Sequence, residues 1–99
     1  MDELKTMVEG IKKQIEEATE NNDYRYFDDI LDIEYFIGGN KDFRGVELTL
    51  TYGGPNIFVN TKTKEVKGYW GCSEYKRYIS DEACNFIDSI FEEYITTII

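Results

Sequence analysis

Between Gly38 and Gly71 the chain alternates short β-patterned stretches with turns too brief to carry a crossover, and this restricts its topology more than any other feature. Val46, Leu48, Leu50 and Tyr52 alternate with Glu47, Thr49 and Thr51, the period-two pattern of a strand with one buried side, which predicts a strand at about 45–52. Gly38-Gly39-Asn40-Lys41-Asp42 precedes it and Gly53-Gly54-Pro55-Asn56 follows it, both turn-forming by composition. Ile57-Phe58-Val59 predicts the next strand, and after the polar tip Asn60-Thr61-Lys62-Thr63-Lys64 the chain returns from Glu65 to Trp70. Parallel neighbours need a crossover of about a dozen residues or more, so connections this short imply an antiparallel meander. The lysines at the tip suit an exposed or edge position.

Helical periodicity brackets this region. Leu4, Met7, Val8, Ile11, Ile15 and Ala18 recur at steps of three and four, predicting a helix over 2–20 that Asn21, Asn22 and Asp23 terminate. Tyr24, Phe27, Ile30 and Leu31 fit a helical turn, whereas Leu31, Ile33, Tyr35 and Ile37 alternate as a strand would; we read a short connection and then a first strand at about 30–37. Ser80 offers an N-cap, with Asp81 and Glu82 in the first turn. Behind it Cys84, Ile87, Phe91, Tyr94, Ile95 and Ile98 form a core stripe, with Asp88, Glu92 and Glu93 displayed away from it. The expected class is α+β: an N-terminal helix, a four-stranded antiparallel meander and a C-terminal helix, both helices on one sheet face. Ninety-nine residues suit a single domain, 1–99.

Several chemistries are disfavoured. The charged start Met1-Asp2-Glu3-Leu4-Lys5 lacks a leader pattern and no apolar run is long enough to span a membrane, so a soluble, cytoplasmic protein without membrane contact is expected. Cys72 and Cys84 form no CxxC pair, and the chain has no histidine to complete a zinc site or serve as a thiol's base. Cys84 falls on the apolar stripe and reads as a buried thiol; Cys72 lies in a glycine-flanked, exposed loop. Gly53-Gly54-Pro55-Asn56 leads into a strand instead of a helix N-terminus, which makes it a tight turn and not a phosphate cradle. Neighbouring acids such as Asp28-Asp29 or Glu92-Glu93 point different ways and belong to no metal-loop motif. No catalytic residue, metal or cofactor is therefore expected, and the chain reads as a non-enzyme.

Charge is segregated. The total is −9, yet residues 14–34 carry Glu16, Glu17, Glu20, Asp23, Asp28, Asp29, Asp32 and Glu34 against Arg25, while residues 78–99 carry Asp81, Glu82, Asp88, Glu92 and Glu93 with no base. The stretch between them, 35–77, is mildly basic, with seven bases and four acids. Two acidic blocks imply a basic partner surface and disfavour direct nucleic-acid binding, which depends on Lys and Arg neutralising phosphates.

Gly68-Tyr69-Trp70-Gly71 sets a second constraint, since adjacent strand residues point to opposite faces. Trp70 shares parity with Val66 and is expected to face the helices as a structural residue; Tyr69 shares parity with Lys67 and is expected on the open face with Phe58. A loop carrying Tyr75 and Tyr78 could fold over that face and cover it.

The run from Gly53-Gly54-Pro55-Asn56-Ile57 through Gly68-Tyr69-Trp70-Gly71, followed by an acidic C-terminal helix, resembles small uncharacterised proteins of bacterial phages and conjugative elements. The general type looks like anti-CRISPR and other anti-defence proteins, several of which occupy nucleic-acid grooves by charge mimicry. The resemblance implies an inhibitor whose partner is the basic surface of a CRISPR effector or other nuclease. Beside it, acids three or four apart on a helix lie about 5–6 Å from one another and can imitate a row of phosphates, as Asp28, Asp29 and Asp32, or Asp88 and Glu92, would. Candidate partner-binding residues are thus Glu16, Glu17, Glu20, Asp23, Asp28, Asp29, Asp32, Asp88, Glu92 and Glu93, with Phe58 and Tyr69 on the open face. The alternative expectation is a structural or regulatory module that forms a homodimer, or binds a partner, through that face.

Overall fold

The structure, a computed structural model, describes residues 2–98. Helix α1 spans Asp2–Glu20 and ends in the asparagine pair, where Asn22 takes φ 55 and the amide of Asp23 returns to the carbonyl of Ala18. Asparagine tolerates this left-handed geometry better than most residues, which is why the helix stops there. A 3-10 turn, Tyr24–Phe27, follows, with the Asp23 carboxylate accepting the amide of Arg25. It sets Phe27 against Phe86 and Phe91, centroids 6.2 and 6.3 Å away.

Five strands then run in chain order: β1 Asp32–Ile37, β2 Phe43–Thr51, β3 Asn56–Asn60, β4 Glu65–Trp70 and β5 Ser73–Tyr78. All neighbours are antiparallel, so β3 is central and β1 and β5 are the edges. The expected meander is present with one strand more. Residues 73–78, expected as a loop, pair with β4 from Trp70↔Ser73 to Glu65↔Tyr78 across the turn Gly71-Cys72. Because β5 extends the sheet sideways, it does not fold over the open face. The Lys-bearing hairpin β3–β4 is accordingly interior, not an edge, although Lys62 and Lys64 are exposed at its tip. Helix α2 spans Asp81–Ile98, capped by Ser80, whose Oγ accepts the amide of Ala83 at 3.1 Å.

One face of the sheet carries the core. Leu48 pairs with Val59, Val59 with Val66 and Ile57 with Gly68, and cross-strand partners share a face, so these residues form a continuous apolar floor. Helix α1 lies across β4 and β5, and α2 reaches β2 and also touches α1. Leu4, Val8 and Ile15 from α1 meet Ala83, Cys84, Ile87 and Phe91 from α2 over that floor. Both helices therefore cover the same face.

Three parts of the expected core fall outside it. Trp70 has the expected parity, but the first turn of α1 meets β4 at Gly68, leaving Trp70 two residues beyond it and 43% exposed. Tyr52 lies past the end of β2, after a register shift between Thr49 and Thr51, and is exposed. Tyr94 is exposed on α2, which reaches the core with Ala83, Cys84, Ile87 and Phe91 instead. The side chain of Ile98 lies outside the described residues.

Candidate functional site

The α1 end places its acids unequally. Glu16 is a structural clamp: its Oε2 accepts the backbone amide of Ser80 at 2.8 Å and its Oε1 accepts the Ser80 hydroxyl at 2.6 Å, with Lys12 Nζ 3.7 Å away. Partial burial pushes the Glu16 carboxyl up, but the Ser80 bonds and Lys12 outweigh it and hold it below its ordinary value. This clamp brings the C-terminal half of α1 against the start of α2. Glu16, Glu20 and Glu82 then line one hollow with Thr19 and Ser80, so the two acidic blocks, far apart in sequence, meet there. On the other flank of α1, Glu17 and Asp23 line a second hollow with Gln14, Asn21 and Tyr26. Glu82 was not singled out for partner binding; its position in the first turn after Ser80 was the available signal.

The remaining acids do not form the helical rows expected of them. Asp28 ends the 3-10 turn, Asp29 sits in the following turn and Asp32 opens β1, where its carboxylate accepts the amide of Ile33. All three are exposed, but no helix aligns them. Asp88 and Glu92 are one turn apart on α2, yet Asp88 is half-buried, with Oδ1 enclosed and lacking a hydrogen-bond partner; burial raises its carboxyl above the ordinary value. Asp88 is therefore not displayed. Glu92 and Glu93 are exposed near the far end of α2. Among the described residues no group of three or more acids or cysteines is arranged to hold a metal ion.

Ion pairing sharpens the contrast between blocks. Of the seven bases in residues 35–77, five lie in salt bridges: Arg44 with Asp42, Lys64 with Asp81, Lys67 and Lys76 with Glu65, and Arg77 with Glu9. Lys62 Nζ sits 5.5 Å from the centroid of Phe36. In residues 14–34, Glu16 alone among the described residues takes part in an ion pair. The acidic end is left uncompensated.

On the opposite side the sheet is uncovered. Strand register lays out two rows across it, Glu34–Glu47–Asn60–Glu65–Tyr78 and Asp32–Thr49–Phe58–Lys67–Lys76, with Tyr69 beyond Lys67 on β4. Tyr69 faces outward as its parity implied, and its ring meets Phe58 edge to face at 6.0 Å. The two aromatics, with Glu47, Asn60, Thr63, Glu65 and Lys67, line a concavity of about 250 Å³. Asn60 is pinned there, its Oδ1 accepting the amides of Lys62 and Thr63 and its Nδ2 donating to Glu47. Tyr75, by contrast, turns to the helix side and donates its hydroxyl to Glu9 at 2.8 Å.

No helix among the described residues is long and apolar enough to cross a membrane. The chain matches no protein-family model, no curated protein and no solved structure.

Proposed function

We propose that the protein is a non-enzymatic, protein-binding inhibitor of mobile-element origin that acts in the cytoplasm by presenting its acidic end to the basic groove of a nucleic-acid-binding effector, of the CRISPR-nuclease type. The observation that carries this reading is the partition of ion pairs: five of the seven bases of the middle region are paired within the fold, whereas Glu17, Glu20, Asp28, Asp29 and Asp32 remain exposed and unneutralised by any base among the described residues. A surface of one sign steers association with a partner of the other and raises the on-rate. Glu17 and Glu20, three apart on α1, stand about 5–6 Å from each other, and Glu20 continues toward Glu82 in the shared hollow, so negative charge runs from one helix to the next. A groove that binds nucleic acid presents Lys and Arg to phosphates, and carboxylates in that position would exclude the nucleic acid.

The test is a guide-loaded CRISPR nuclease titrated with its DNA target in the presence of the purified protein at several salt concentrations. DNA binding should fall as the protein is added, and the inhibition should weaken as salt screens exposed charges. Glu17→Lys combined with Glu20→Lys should relieve it. A nuclease that binds its target undisturbed at a large excess of the protein, at low as well as physiological salt, would remove this reading for that effector class.

A further inference from the structure

A hollow of about 370 Å³ opens between the middle of α1, the 3-10 turn and the end of β2. It shares no lining residue with the hollow of Glu20 and Glu82 or with the concavity around Phe58. Its floor is Ile11, Ile30 and Leu50, apolar side chains that pack against the core but are only partly covered. Two charges of opposite sign also line it, Arg25 and Asp29, and neither is in a salt bridge among the described residues. Of the three arginines, Arg44 and Arg77 are paired and Arg25 is not, although it lies in the stretch of chain richest in acids. The backbone of Arg25 is fixed on both sides. Its N–H donates to the Asp23 carboxylate at 3.1 Å, its carbonyl accepts the N–H of Asp28 at 3.0 Å, and Phe27 of the same turn is buried in the core. Gln14 adds a neutral donor: its Oε1 accepts the Tyr26 hydroxyl at 2.9 Å, which leaves Nε2 free to donate into the hollow.

We infer that this hollow binds a free α-amino acid with an apolar side chain. The carboxylate is held by Arg25 and Gln14, the ammonium by Asp29, and the side chain rests on Ile11, Ile30 and Leu50. A guanidinium carries its donors in a planar fork that matches a carboxylate, and Arg25 has no carboxylate within the fold to occupy it. Charge decides between classes of ligand. A simple carboxylate meets both Asp29 and the net charge of −9, and a simple amine meets Arg25. A zwitterion has no net charge and satisfies both groups at once. Small-molecule sites are mostly apolar with a few convergent polar groups and run from roughly 300 to 1,000 Å³, so a hollow at the small end of that range suits a single residue.

Binding here is measured without any nuclease and with variants that leave Glu17 and Glu20 intact, so it stands or falls separately from the inhibitory reading. The full chain, isotope-labelled, is titrated with L-leucine or L-phenylalanine to about 50 mM while its backbone amide NMR signals are followed. The amides of Arg25, Asp29 and Ile30 should shift and saturate, with a Kd of a few millimolar or tighter, on the order expected of so small a ligand. Isocaproate, which is leucine without its ammonium, and leucinamide, which lacks the carboxylate, should each bind at least about tenfold more weakly. Glycine, without a side chain for the apolar floor, should also bind more weakly. Arg25→Gln should weaken leucine at least about tenfold. Asp29→Asn should weaken leucine and remove the preference for leucine over isocaproate, a change that loss of structure would not produce. The amide spectrum of each variant checks that it is folded. Shifts at these amides that fail to saturate with either amino acid would overturn the proposal. So would isocaproate or leucinamide binding as tightly as leucine, or a folded Arg25→Gln variant that binds leucine like the wild type.

Discussion

Glu16 holds Ser80 with both carboxylate oxygens, Oε2 taking the backbone N–H at 2.8 Å and Oε1 the hydroxyl at 2.6 Å, so an acid from the first charge block docks the N-cap of the second helix. Ser80 in turn accepts the amide of Ala83. One carboxylate thus fixes the angle at which α2 leaves the sheet and brings Glu82 beside Glu20.

Glu16→Ala should lower stability by about 1 kcal/mol, the discounted value of charge-assisted bonds that remain partly in water. The folded carboxyl titrates below its usual value of 4.5. Its contribution is therefore full above that value and is lost as pH falls through the lowered folded value. Thermal melts of both proteins across pH 3–7 check this: the gap between them should narrow in acid.

Gly68→Ala and Gly10→Ala should act in opposite directions. A Cβ on Gly68 would lie 2.8 Å from Leu4 Cδ1 and 2.8 Å from Val8 Cγ2, both side chains buried in the core, so overpacking should cost about 1–3 kcal/mol. A Cβ on Gly10, inside α1, meets nothing within 4 Å, and alanine there should add about 0.5–1 kcal/mol from helix propensity. Urea unfolding of the two variants measures both.

Trp70→Ala should cost about 1–2 kcal/mol, less than the 3–5 kcal/mol of a fully buried aromatic, because Trp70 is 43% exposed at the end of β4. Phe91→Ala, from the buried face of α2, should reach the larger figure. A loss at Trp70 equal to that at Phe91, by the same denaturation assay, would contradict this placement.

Asp88→Asn should raise stability at neutral pH by less than about 1 kcal/mol, because burial disfavours the charged carboxyl while solvent on its exposed side screens the effect. The sign is opposite to that of Glu16. With the folded value raised above the ordinary 3.8, the folded state binds the extra proton, so the penalty is absent below about 3.8 and develops as pH rises through the raised value. The advantage of Asn over Asp in thermal melts should disappear at low pH.

Thiol titration should separate the two cysteines. Cys72 is exposed and should react with an aromatic disulfide reagent at pH 8 in the native protein. Cys84 is buried, and burial together with the Asp88 charge pushes its thiol up to about 11, so it should react only when denaturant opens the core. Two fast thiols in the native protein would contradict the packing of α2.

Both helices and four of the five strands were legible in the sequence because each has a local cause: three- and four-residue apolar spacing in α1 and α2, the Asn21-Asn22 stop, the Ser80 cap, and alternation from Val46 through Leu48 and from Ile57 through Val59. Parity likewise assigned Tyr69 and Trp70 to opposite faces, since neighbouring strand residues cannot share one. Strand β5 left no such signal. Its helix-side positions are Tyr75 and Arg77, amphipathic side chains that both reach Glu9 on α1, so a strand covered by a helix reads as a polar loop. How deeply Trp70 is buried depended on where α1 begins relative to β4, and whether Asp88 is displayed depended on what packs around α2. Periodicity reports direction, not cover. The same limit applies to the acids: their segregation into two blocks is written in the chain, but the folded arrangement decides that Glu16 is tied to Ser80, that Glu20 meets Glu82, and that most of the bases between the blocks are paired within the fold, because side-chain partners far apart in sequence are chosen by packing.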